Sequence, residues 1–184
     1  LTKIPSNSVH SITLPGAIDG FEKLTADYGK IGLAATCESA IYYAENGIPV
    51  APRVAFDWEQ SVDNLSKASC HHYLVNGKTP KSGDVFKAPL QADVLRKIAK
   101  LGAKGFYEGE VAEDIIQSLR RMGGVHTMDD MADVSSEYVN PISAFYRDVE
   151  LIELPPNGQG ATALLLGNIL SNFELSSMDP FSYQ

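Results

Sequence analysis

The chain has 184 residues, enough for one domain that buries roughly 70% of the surface its unfolded form exposes, without staples. Apolar residues make up 44% and charged residues 21%, which excludes a disordered chain, and no apolar run reaches the ~18 residues a bilayer-crossing helix requires. Fifteen Lys and Arg against 23 Asp and Glu give a net charge of −8, so neither nucleic acid nor an anionic membrane surface is an expected partner, since each calls for a basic face.

In chain order, the first residues, LTKIPSNSVH, carry no signal-peptide core and are silent on export. An extended lead ends at Pro15-Gly16 and gives way to a helix over 17–29. A second helix is predicted over 32–47, where Leu33, Cys37, Ala40, Ile41 and Ala44 form an apolar stripe and Gly47 supplies the stop. Pro52 opens a third helical stretch running to Ala68. The segment 72–89 is rich in turn residues and reads as loop with short extended pieces.

Two amphipathic helices follow. Leu90, Val94, Leu95, Ile98 and Leu101 form one stripe ended by Gly102; Val111, Ile115, Ile116, Leu119 and Met122 form another ended by Gly123-Gly124. Thr127 with Asp129 and Asp130 marks a helix start, with acids at the positive end of the dipole. Beyond Pro141 the period falls to two, and ISAFYRDVELIEL predicts a β-hairpin turning at Arg147-Asp148. PPNGQG and an apolar helix over 161–173 come next, and SSMDPFSYQ ends without a strand or cap. Helices, then strands, then a helix define an α+β fold that is mostly helical.

Few residues suggest chemistry. Gly158-Gln159-Gly160-Ala161-Thr162-Ala163 fits a dinucleotide fingerprint, with Asp179 about 20 positions on. Pro155-Pro156 separates it from its strand, however, and the preceding strands read as antiparallel. A tight strand-to-helix turn is therefore expected, with no nicotinamide and no other cofactor. Cys70-His71-His72 is the one dense group of soft ligands, but neighbouring side chains diverge, so no metal site is expected. Cys37 lies on the stripe of its own helix and behaves as a small apolar residue. Asn64-Leu65-Ser66 matches a glycosylation acceptor, a pattern common by chance. The acids Glu108, Glu110, Glu113 and Asp114, and Asp129, Asp130 and Asp133, read as solvated first turns of helices.

Four stretches, HSITLPGAIDGFEKL, AIYYAENGIPVAPRVA, GAKGFYEGEVAEDIIQSLRRMGGVHTMDDMADV and VNPISAFYRDVELIELPPNGQGATALLLGNIL, together resemble the large-subunit part of γ-glutamyltranspeptidases across nearly the whole chain. Asp148 stands where the family commonly has Gly after Tyr-Arg, and Gln159-Gly160 replaces the usual Gly-Gly. The resemblance implies an N-terminal-nucleophile hydrolase with an αββα sandwich. A self-cleaved precursor there exposes a threonine that attacks a γ-glutamyl carbonyl, with its own α-amine as base.

The family's Thr-Thr-His start of the small subunit is absent from this sequence. Thr2 is not terminal, and Thr127 follows His126 without a cleavage context. No catalytic residue is therefore assigned to the chain. The expectation is a single incomplete domain over 1–184, inert alone, whose partners are a complementary small subunit and a γ-glutamyl small molecule. Its uncovered apolar faces favour self-association. The loop Asn157, Gly158, Gln159 and Gly160 is the segment expected near the substrate cavity, because glycine backbones allow close approach. The competing expectation is a helical interaction module without an active site.

Overall fold

The computed structural model describes residues 4–5 and 8–181, which form two compact units divided after Ser136. Thr2 and the last three residues of the terminal SSMDPFSYQ lie outside the described residues. The fold class is α+β and mostly helical, as the sequence predicts.

The first unit holds eight helices among its described residues: α1 (Ala17–Asp27), α2 (Gly32–Asn46), α3 (Pro52–Ser61), α4 (Cys70–Tyr73), α5 (Pro89–Leu101), α6 (Lys104–Tyr107), α7 (Gly109–Arg121) and α8 (Met128–Ala132). Its two short strands, β1 (Ile48–Pro49) and β2 (Val85–Phe86), pair antiparallel. α2 packs along α5, and α6 links α5 to α7. The core joins Ala103, Tyr107, Ala112, Ile116 and Met131, with Ile18, Phe106 and Ile115 packed against them.

The predicted stripes account for the centres of these helices better than their ends. In α7, Val111, Ile116 and Leu119 are buried, together with Ala112. Met122 is 58% exposed because the helix stops at Arg121 and Met122 is its cap. In α5 the buried residues are Ala92 and Ile98, and Leu90 and Leu101 at the two ends face outward. In α2 only Cys37 is buried.

The third helix is shorter than predicted. It yields after Ser61 to a single 3-10 turn over Val62–Asn64, closed by the Leu65 N–H on the Val62 carbonyl at 3.1 Å; Asp63 and Asn64 there are weak helix formers. Leu65 is extended. The Ser66 hydroxyl accepts from the Ser69 N–H at 3.1 Å, which starts a new turn leading into α4. The lead also departs from a fully extended path: Val9–Ser11 forms a 3-10 turn capped by Ser8.

The family-like motifs of this unit meet in space. The buried Tyr107 donates its hydroxyl proton to the Pro15 carbonyl at 2.6 Å and accepts from the Asp19 N–H at 3.3 Å, pinning the Pro-Gly lead to α6. Asp19 in turn accepts from the Ser136 N–H at 2.6 Å. Burial raises the Tyr107 phenol above its ordinary range, so it serves as a donor. At the α5–α6 junction, Gly102 has φ 67°, and a Cβ there would collide with the Glu22 carboxylate. That carboxylate accepts from the Ala103 N–H at 3.1 Å.

The second unit contains an antiparallel hairpin, β3 (Ile142–Tyr146) and β4 (Val149–Glu153), and the helix α9 (Gly160–Leu170). The register pairs Tyr146 with Val149 and Ile142 with Glu153, so the turn is Arg147-Asp148, as predicted. Among the described residues no helix is long and apolar enough to cross a membrane.

Candidate functional site

In the second unit, α9 packs on the hairpin; Leu164 is buried, and a Cβ added at Gly167 would touch Leu151 and Tyr146 at 3.8 Å. A five-residue strand and an eleven-residue helix are each roughly 17 Å long; α9 packs chiefly against β3, and the chain just beyond it reaches the hairpin turn. There the Arg147 guanidinium donates to the Phe173 carbonyl at 3.3 Å and to Glu174 at 3.2 Å. The Ser176 hydroxyl, and then the charge of Arg147, hold the Glu174 carboxyl below its usual range.

Arg147 carries the turn's positive φ, 56°. Asp148 therefore meets no left-handed demand, and the Asp148-for-Gly departure leaves the turn intact.

The opposite end of this layer is the loop from Leu154 to Gln159. Gly160 is buried where the chain enters α9; a Cβ on it would collide with the Leu154 carbonyl oxygen and stand 2.9 Å from the Glu153 Cβ. Close approach of two backbones thus demands glycine at 160. At Gly158 a Cβ would meet nothing within 4 Å, and Asn157, Gly158 and Gln159 are all exposed. Gln159 caps α9 without a side-chain hydrogen bond. The first N–H groups of α9 have no acceptor within the helix and lie at its positive end. Chemically, this end of the layer can hold a carboxylate or an oxyanion.

The fingerprint-like run at 158–163 follows an antiparallel hairpin, not the first strand of a βαβ unit. Asp179 lies in the tail beyond the 3-10 turn over Leu175–Ser177. Cys70, His71 and His72 occupy one helical turn, with the two imidazole centroids 3.7 Å apart and their planes tilted by 42° and the Cys70 thiol donating to the Ser66 carbonyl at 3.3 Å. Among the described residues, no three His, Cys, Asp or Glu side chains are grouped to hold a metal. Cys37 is buried, and burial raises its thiol pKa. Thr127 caps α8 in a reciprocal box with Asp130, and His126 reaches the Ile12 carbonyl at 2.9 Å. Sequence spacing did not announce the Tyr107–Pro15 and Arg147–Glu174 contacts; each joins residues far apart in the chain.

Residues 1–183 match the family model described as gamma-glutamyltranspeptidase, and the chain belongs to that family. It is 34% identical over 184 residues to the glutathione hydrolase-like YwrD proenzyme of Bacillus subtilis, covering 98% of this chain and 35% of that protein. Helicobacter pylori γ-glutamyltranspeptidase superposes with a TM-score of 0.81 at 29% identity, over 92% of this chain and 50% of that one. The cephalosporin acylase of Bacillus halodurans superposes at 0.83 with 36% identity, over 93% and 33%. The chain thus spans about a third of the length of the curated relatives it matches. Its fold is that of a segment of an N-terminal-nucleophile hydrolase.

Proposed function

We propose that this chain is a large-subunit segment of a γ-glutamyltransferase or hydrolase that cleaves γ-glutamyl amides such as glutathione. The attacking hydroxyl belongs to an N-terminal threonine on a complementary small subunit of the same precursor. The match over residues 1–183 carries this reading, and the relative named a glutathione hydrolase-like proenzyme supports both substrate class and processing.

In such a reaction the free α-amine takes the hydroxyl proton as the threonine oxygen attacks the amide carbon. Donors stabilise the resulting oxyanion, the amine leaves, and water or an acceptor amine releases the glutamyl group. The segment contributes a helical wall, and the loop Asn157, Gly158, Gln159 and Gly160 borders the substrate cavity. Two features support that role for the loop. Gly160 locks its base against Leu154, and the N-terminus of α9 faces the open end of the layer with dipole positive.

The test is glutathione hydrolysis by the full-length protein. Release of glutamate and cysteinylglycine is expected; processed protein that leaves glutathione untouched would refute the substrate assignment. A second reading, an acylase for a different amide, draws on the 36% identity to the protein titled cephalosporin acylase. It gains if a β-lactam side-chain amide is cleaved and glutathione is not.

A further inference from the structure

Three Asn-Gly pairs occur in the chain: Asn46-Gly47, Asn76-Gly77 and Asn157-Gly158. We propose that Asn157 is a site of spontaneous deamidation and that the fold protects the other two. In this modification the Gly158 backbone nitrogen loses its proton to a solvent base and attacks Cγ of Asn157. The new N–Cγ bond closes a five-membered succinimide, and the side-chain amide nitrogen leaves as ammonia. Water then opens the ring at either carbonyl, giving aspartate or isoaspartate. The overall exchange is one water consumed for one ammonia released, with no change in oxidation state. Glycine favours the step because no Cβ hinders the attacking nitrogen, but the nitrogen must be free and the asparagine able to swing onto it.

Those conditions separate the three pairs. Asn46 is the last residue of α2, its amide donates to the Tyr42 carbonyl at 3.0 Å, and the Gly47 N–H donates to the Tyr43 carbonyl at 2.8 Å. Both reacting groups are occupied. Asn76 and Gly77 are held at φ 52° and 75° in a turn closed by two backbone bonds between Val75 and Lys78, at 2.8 and 3.1 Å. The chain there cannot rotate without breaking the turn. Asn157 and Gly158 are exposed and outside any helix or strand, and neither the Asn157 amide nor the Gly158 N–H makes a hydrogen bond among the described residues. Space around Gly158 is open to 4 Å, as it is around Gly77, so the ring can form without displacing a neighbour, and it is the closed turn that sets Asn76 apart.

Conversion adds a negative charge to the loop, and the isoaspartate product inserts a methylene into its backbone. Only the effect on turnover rests on the functional reading above. The modification itself rests on the local geometry.

The experiment incubates the full-length protein at neutral and mildly alkaline pH, digests it and follows the amide-to-acid mass gain at each asparagine. Fragmentation by electron transfer distinguishes isoaspartate from aspartate. Asn157 should convert first, roughly tenfold faster than Asn46 or Asn76, the factor that about 1.4 kcal/mol of local opening imposes. Its rate should rise with pH, and Gly158→Ala should slow it several-fold without lowering the melting temperature. Equal conversion at all three sites, conversion led by Asn46 or Asn76, or an intact Asn157 would overturn the proposal. Failure to hydrolyse glutathione while Asn157 still converts would count against the functional reading alone.

Discussion

Gly158 and Gly160 lie two positions apart in one loop and answer to different demands. A methyl group at 160 must push into the Leu154 carbonyl, so Gly160→Ala should cost about 1–3 kcal/mol, the usual range for overpacking. Gly158→Ala should stay within about 0.5 kcal/mol of the parent, as at an unconstrained surface site. Denaturant unfolding of both variants checks the contrast, and equal losses would mean that the loop does not close on Leu154 as described. The cysteines differ in the same way. Cys37 is 8% exposed, and burial disfavours its thiolate. Cys70 is half-buried on a short turn. Alkylation under native conditions should label Cys70 first, and faster labelling of Cys37 would contradict the packing of α2.

Among the α-helices of the described residues, α8 is the one whose start is written out in side chains. Asp130 accepts from the Thr127 N–H at 2.8 Å, and its own N–H donates to the Thr127 hydroxyl at 3.1 Å. The hydrogen bond from the Thr127 hydroxyl is the foremost cause holding the Asp130 carboxyl below its usual range. The folded pKa is therefore depressed. The box contributes in full above the ordinary aspartate range, near ~3.9, and its contribution is lost as the pH falls through the lower folded value. Thr127→Ala should raise the midpoint of the Asp130 titration, followed by NMR, and cost about 1 kcal/mol as a lost cap. An unmoved midpoint would sink this assignment.

The capping residues, the hairpin turn at Arg147-Asp148 and the helix centres were legible in the sequence because each depends on neighbours within a few positions. The break after Ser61 was not, because an apolar period says little about where weak helix formers such as Asp63 and Asn64 end a helix. The outward-facing Leu90 and Leu101 were missed for a related reason: a stripe gives the angle of a residue around its helix but not how far the neighbouring helix extends along it. The Tyr107–Pro15 bond spans most of the first unit and left no local trace. At the candidate loop, the sequence identified the glycines but could not say that Gly160, not Gly158, carries the packing constraint.

Over the whole molecule, apolar side chains remain on the surface where a further layer would cover them. On the hairpin face turned away from α9, Phe145 and Ile152 are 64% and 63% exposed, and on α9 itself Leu165, Leu166 and Ile169 are exposed as well. Apolar patches of this kind rarely stay bare on a monomer, and the hairpin edges offer unpaired backbone groups. The 184-residue chain on its own should therefore self-associate as its concentration rises. Light scattering of a clean monomer at high concentration would show that these faces need no cover.

The proposed enzyme requires a second polypeptide whose first residue is the nucleophile. Intact-mass spectrometry of the full-length protein after incubation tests that requirement most directly. The expected result is two chains whose masses sum to the precursor plus one water, with threonine at the new N-terminus. A single uncut chain that nevertheless hydrolyses glutathione would contradict it.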